Sequence, residues 1–253
     1  MPHRPFALTD LRVLVVGAGR GIGAEIARCL RDEGADVVTT GRGDSAESAP
    51  PAPAHLRLDV RDPVAIDAAV HRAAATMGGL DALVYCPGVA HVGPLTALSA
   101  DQWDELFAIN TRGFGLATAA ALAHWDESRP GRAIALSSQA ARRGQALISG
   151  YTASKAAIDG LVRALAVELA AVARVNAVAP GIVPTDMIRE DFQRQAARHG
   201  ESLAEVEART RLRIPTGVFQ DPSAIAAAVA FLLSPAAAHI TGQVLAVDGG
   251  MSA

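Results

Sequence analysis

Aromatic side chains are scarce in this chain: Phe, Trp and Tyr make up 4% of its 253 residues. Its core must therefore be built from Ala, Val, Leu and Ile, which a hydrophobic content of 50% supplies amply. Cysteine is nearly absent as well. Cys29 and Cys86 stand far apart with no metal-ligand spacing around them, so neither a disulfide framework nor a metal site is expected. Both read as reduced thiols of a cytoplasmic protein. Neither sign of charge dominates: 23 Lys and Arg face 26 Asp and Glu, a net charge of -3. That balance gives no reason to expect nucleic acid or an anionic membrane as partner. Long apolar runs are missing too. The opening "MPHRPFALTD" has no signal-peptide core, and the run from Leu11 to Val16 is strand length, far too short to span a bilayer. No repeat and no break in composition marks a second domain, which predicts one domain over 1–253.

What is present is alternation. Short β-branched runs at 12–17, 36–40, 55–58, 81–86, 132–138, 173–179 and 243–248 read as strands. Helical patterns at 21–33, 63–77, 101–125, 150–171 and 222–233 separate most of them, and 185–214 is charged and helical. The stretch 41–54 is rich in Pro, Ala and Ser and reads as a loop. Strands alternating with helices predict an α/β fold of the Rossmann-like, doubly wound kind: a parallel sheet of about seven strands with helices on both faces. The segment 156–169 is apolar on more than one face, which suits deep burial or a subunit interface.

Two local patterns carry chemistry. In "VVGAGRGIGAEIA" the glycines 17, 19, 21 and 23 lie between the first strand and the first helix. Glycines there permit a tight turn and close approach of backbone to phosphate, at a helix N-terminus that favours anions. The second strand ends in "TTGRGD", where an acid would accept from an adenosine ribose hydroxyl. Gly41 offers none, while Arg42 and Arg20 can meet a 2′-phosphate through their forked guanidiniums. NADP(H) is therefore favoured over NAD(H), with Asp44 close enough to neutralise one arginine. The other pattern is "YTASK". Tyr151 and Lys155 are four apart and share a helix face. A cation beside a phenol favours phenolate and lowers a pKa that starts near ~10, which would make Tyr151 a proton donor or acceptor. Taken alone, the same spacing also fits an amphipathic helix with a buried Tyr and a solvated Lys.

Together these motifs resemble the short-chain dehydrogenase/reductase family, over almost the whole chain. "GAGRGIG" is similar to its glycine turn, "LDV" to its adenine-contacting acid, "AINTRG" to its catalytic asparagine, "YTASK" to its YxxxK, "NAVAPGIVPT" to its Pro-Gly segment, and "ITGQVLAVDGG" to its ending. Ser138 lies 13 residues before Tyr151, as in the family. The resemblance implies that Asn110, Ser138, Tyr151 and Lys155 are catalytic. It implies cofactor contacts from Gly17, Gly19, Arg20, Gly21, Ile22, Gly23, Arg42, Asp59, Val60, Cys86, Gly88, Tyr151, Lys155, Pro180, Gly181, Val183 and Thr185. Tyr151 would pass the proton, Ser138 would hold the substrate oxygen, Lys155 the nicotinamide ribose, and Asn110 a water-linked proton relay. A helical lid near 185–214 would cover the substrate, with His91, Gln139, Arg142, Gln145 and Ile148 as pocket candidates. The adjacent Arg142 and Arg143 could face an acidic or carrier-bound substrate. One departure stands out: the family's "NNAG" is "YCPG" here, residues 85–88. Pro87 removes a backbone donor, and both amides are gone.

The activity implied is hydride transfer between NADP(H) and a carbonyl or secondary alcohol, as in 3-oxoacyl-thioester reductases and biosynthetic ketoreductases. An NAD-linked dehydrogenase of a cyclic diol or sugar alcohol is the alternative, and a non-catalytic dinucleotide sensor a more distant one. The helices at 101–125 and 150–171 are expected to pair in a homo-oligomer, a dimer or tetramer.

Overall fold

A computed structural model describes residues 6–43 and 55–253. Asp44 and most of the expected 41–54 loop lie outside the described residues. Seven strands form one fully parallel sheet: β1 (Arg12–Val16), β2 (Asp36–Gly41), β3 (His55–Arg57), β4 (Ala82–Tyr85), β5 (Gly131–Leu136), β6 (Ala173–Pro180) and β7 (Val244–Val247). Their spatial order is β3-β2-β1-β4-β5-β6-β7. The chain runs outward from β1 to β2 and β3, then returns to place β4 on the other side of β1. This reversal between β1 and β4 opens a crevice at their carboxyl ends, where doubly wound sheets bind ligands.

The helices divide between two layers. α1 (Gly21–Asp32) and α8 (Pro222–Leu233) cover one face. α2 (Pro63–Met77), α4 (Gly113–Ala121) and α5 (Ser149–Glu168) cover the other. Both faces of the central strands are thus buried, which is why β1, β4 and β5 read as near-continuous apolar runs. Each fully buried Leu or Ile among them contributes about 1.5–3 kcal/mol. Local signals set the helix ends. Asp62 accepts hydrogen bonds from the amides of Val64 and Ala65, Pro63 follows it, and Gly78 closes α2 at φ +68°. Asp221 and Pro222 open α8 in the same way.

The expected helix over 101–125 is not continuous. α3 (Ala100–Phe107) passes through a π-helical turn (Ala108–Arg112) into α4, and a short 3-10 turn (Leu122–His124) ends the stretch. By length and composition Ala100–His124 could cross a membrane, but half of its apolar window is buried inside the fold. The charged 185–214 segment folds as two helices, α6 (Asp186–His199) and α7 (Leu203–Arg211). Gly200 at φ +67° ends the first, and a capping box of Ser202 and Glu205 starts the second.

Candidate active site

Two glycines of the turn, Gly17 and Gly23, sit where contacts admit no side chain. Gly17 adopts φ +79°, and a Cβ there would sit 2.8 Å from the Pro87 ring. A Cβ on Gly23 would strike the carbonyl of Gly17, so α1 can start this close to β1 only with glycine. The result is a cleft of about 520 Å³ running along the carboxyl ends of the strands. All seventeen residues assigned to the cofactor from sequence line it, from Gly17 through Thr185. A dinucleotide therefore fits the residues present: a backbone cradle at one end and titratable side chains at the other.

At the adenosine end Arg42 is exposed on the rim. Arg20 also lines the cleft, but its guanidinium is paired 3.0 Å from Asp186 at the start of α6. Asp59 is gripped by Arg61, which donates to both carboxylate oxygens at 2.5–3.0 Å. This contact, with Arg42 adding positive charge, holds Asp59 below the usual carboxylate range. Sequence reading missed Arg61 and Asp186; neither belongs to a motif, and only the fold brings them to the cleft.

The π-helical turn explains Asn110. One extra residue in the helical turn carries Asn110 fully inside the fold. There its Oδ1 accepts from Val89 N at 2.9 Å, and its Nδ2 donates to Val89 O and Ser154 Oγ, each at 2.9 Å. Asn110 thus ties the 86–89 loop to α5 across the mouth of β4. Both of its amide hydrogens are committed to these bonds. Tyr85, in place of an amide, is buried and donates to Ile109 O at 2.6 Å, inside the same turn. Cys86 lines the cleft with its thiol pushed up to about 12 by burial.

Beyond β5 the chain delivers Ser138, and the first two turns of α5 bring Tyr151 and Lys155 to the same wall. Lys155 is buried and donates from Nζ to Leu136 O at 2.8 Å. Its Nζ stands 5.9 Å from the centre of the Tyr151 ring. The titration expected of this pair is corrected by the structure. Burial raises the Tyr151 phenol above its ordinary value, and only the neighbouring Ser138 hydroxyl opposes that shift. Burial also pulls Lys155 down to about 8. Desolvation outweighs the attraction that the sequence spacing implied.

Residues 17–252 match the family described as enoyl-(acyl carrier protein) reductase. The chain belongs to the short-chain dehydrogenase/reductase family. It is 37% identical over 259 residues to cis-4-hydroxycyclohexanecarboxylate dehydrogenase of Sinomonas cyclohexanicum, covering 98% of both chains. It is 35% identical over 253 residues to a 3-oxoacyl-acyl-carrier-protein reductase of Vibrio cholerae, covering 94% of this chain and 96% of that one. Among solved structures, a short-chain dehydrogenase of Burkholderia cenocepacia in complex with NADP superposes with a TM-score of 0.85 at 35% identity, over 98% of this chain and 100% of that one. A 3-ketoacyl-acyl-carrier-protein reductase of Brucella melitensis complexed with NADH also gives 0.85, at 28% identity, over 97% and 100%. As a member of this family the chain is an oxidoreductase of CH-OH and C=O groups that uses NAD(P)(H).

The substrate candidates fare differently from the cofactor set, and none of the five lines the cleft. His91 turns to α3, where its Nε2 lies 2.9 Å from Glu105 and its Nδ1 3.4 Å from Gln102. Arg142 donates to Val244 O at 2.6 Å and Arg143 to Met251 O at 3.3 Å. Both guanidiniums are spent on the C-terminal segment, which removes the reason to expect an acidic substrate at that spot. Gln139 is buried beside Ser138 with its Oε1 unpartnered among the described residues. Gln145 and Ile148 are half-buried in the turn before α5. Met187 and Ile188 of α6, which no motif flags, line the cleft instead.

Proposed function

We propose that the chain is an NADP(H)-dependent ketoreductase. The observation that carries this reading is the gathering of Ser138, Tyr151 and Lys155 on one wall of a cleft whose other end is rimmed by Arg42 and lacks a carboxylate at Gly41. The bound nicotinamide would supply the hydride. Tyr151 would give its proton to the carbonyl oxygen as alkoxide character develops, and take one in the reverse direction. Ser138 would donate a hydrogen bond to that oxygen. Lys155, protonated below about 8, would stabilise negative charge on Tyr151 and hold the nicotinamide ribose. Asn110 would act by keeping the loop at Gly88 and Val89 in place, a positioning role rather than a proton relay. The whole of 1–253 would then be one catalytic domain, with α6 and α7 as the substrate lid.

Cofactor choice is the test. Arg42→Ala should lower NADPH affinity by about ten- to a hundred-fold, the worth of one charge-assisted hydrogen bond. Gly41→Asp with Arg42→Ala should shift preference toward NADH, although a Cβ on Gly41 would lie 3.2 Å from the His55 ring and require it to give. The readout is the ratio of kcat/KM for NADPH over NADH. A wild type that prefers NADH, or an unchanged ratio in Arg42→Ala, overturns the assignment.

A second reading has an observation of its own. Arg20 is already engaged by Asp186, which leaves one arginine rather than two for a 2′-phosphate. With one relative named for a cyclic hydroxyacid, an NAD-linked dehydrogenase of a cyclic or polyhydroxy alcohol is the reading that would follow.

A further inference from the structure

At the amino ends of the strands, on the edge of the sheet opposite the cleft, lies a second cavity of about 330 Å³. Its wall includes Leu8, Asp10, Asp81, Arg129, Arg132 and Pro235. Charged residues open four adjacent strands at this edge. Arg12 begins β1, Asp81 precedes β4, and Arg132 of β5 is in register with Arg174 of β6.

Most of these charges are accounted for. Asp81 is buried, accepts from Arg12 Nε and Nη2 at 2.9 Å each, and is held from its other side by Arg129. Those two guanidiniums overcome the cost of burial and hold Asp81 down to about 2. Arg174 donates to the carbonyls of Leu232, in the last turn of α8, and Ala237, just beyond it, at 3.0 and 2.6 Å. Arg132 is different. Its side chain is half-buried, yet it makes no hydrogen bond or ion pair among the described residues. Burial pulls its guanidinium down, Arg129 adds repulsion, and only Asp81 opposes. Of Arg12, Arg129, Arg132 and Arg174, only Arg132 has no acceptor for its side chain among the described residues.

A partly desolvated guanidinium without an acceptor is unfavourable, and its planar fork matches the oxygens of a tetrahedral anion. We propose that this cavity is an anion site for a phosphate group, free or as a small phosphomonoester, gripped by Arg132 with Arg129 on its flank. The volume accommodates a phosphate with a short ester tail. The bound anion would join three segments distant in sequence: the turn at Leu8 and Asp10, the approach to β5 at Arg129, and the chain after α8 at Pro235. It would act by stabilising the folded chain, since it touches none of the reacting groups.

The test is binding of inorganic phosphate, by calorimetry and by thermal unfolding at constant ionic strength. Saturating NADPH or NADH keeps phosphate out of the cofactor cleft. Wild type should show saturable binding and a matching rise in unfolding temperature. Arg132→Met, which leaves no side-chain partner behind, should weaken binding by at least about tenfold, the loss of one charge-assisted pair. Arg132→Lys keeps the charge but not the fork and should fall between; it also serves if the Met variant folds poorly. A parallel titration with glycerol 1-phosphate tells the sources apart, because tighter binding of the ester assigns a phosphomonoester and tighter binding of inorganic phosphate assigns the free ion. No saturable binding in wild type, or equal binding by wild type and both variants, overturns the proposal.

Discussion

At the scale of single residues, the proposed chemistry rests on Tyr151 and Lys155, which both line the cleft. Tyr151→Phe keeps the ring and removes the proton, so turnover should fall by at least about 100-fold with cofactor still bound; near-normal turnover would refute its role. Lys155 is buried at a folded-state value of about 8, whereas an unfolded lysine titrates near ~10.4. Between those values the unfolded chain binds more protons. Stability from this group therefore rises as pH increases through that window, and the penalty is fully present at pH 7. Lys155→Met should be inactive, and its unfolding temperature relative to wild type should drop between pH 7 and pH 10 as the wild type sheds its penalty. A difference that does not vary with pH would show that Lys155 is not destabilised by burial. Asp186 bears on the cofactor through Arg20. An exposed pair of this kind is worth about 0–1 kcal/mol, so Asp186→Asn should improve the NADPH over NADH ratio of kcat/KM by only a few-fold. A fall in that ratio would mean that the pair positions Arg20 for the phosphate rather than competing with it.

At the scale of elements, the π-helical turn between α3 and α4 decides where Asn110 sits. Asn110→Ala removes three hydrogen bonds and leaves Val89 N and O without their side-chain partner. We expect a loss of about 2–3 kcal/mol, read as a lower unfolding temperature, together with reduced turnover from a loosened loop at Gly88. The start of α4 is set by Tyr85. A Cβ on Gly113 would collide with the Tyr85 hydroxyl, so Gly113→Ala should destabilise by about 1–3 kcal/mol. The penalty should shrink in a Tyr85→Phe background, and a double-mutant cycle measures that coupling. Additive effects would mean that Tyr85 does not dictate how closely α4 approaches the sheet.

At the scale of the whole molecule, α4 and α5 leave a second apolar face open. Ile158, Val162, Ala166 and Leu169 are buried against the sheet, while Leu161 and Leu165 are only partly covered and Val167 is 81% exposed. On the other helix Leu116 and Ala120 are likewise partly covered. This face suits pairing with a second copy across a two-fold axis. Light scattering at micromolar concentration should report a dimer or tetramer, and Leu165→Glu should shift it toward monomer; a monomeric wild type would exclude the pairing.

The order of strands and helices, the glycine turn and the cleft position of the residues proposed for the cofactor were legible in the amino-acid sequence. They depend on short-range properties: β-branched runs, glycines where no Cβ fits, and caps such as Asp62 with Pro63. The four residues of the proposed catalytic set were legible by spacing and resemblance, but not their environment. A residue's spacing says which neighbours it meets along a helix, not how much water the folded chain excludes. The tertiary structure alone therefore decided that burial raises Tyr151 and lowers Lys155, against the shift that their spacing implied for the phenol. It alone turned His91, Arg142 and Arg143 away from the cleft, because long polar side chains go to whichever unsatisfied groups the packing leaves within reach. It alone brought Arg20 to Asp186, 166 residues away, and left the Arg132 side chain without a partner among the described residues, since charges meet through contacts distant in sequence that no local pattern encodes.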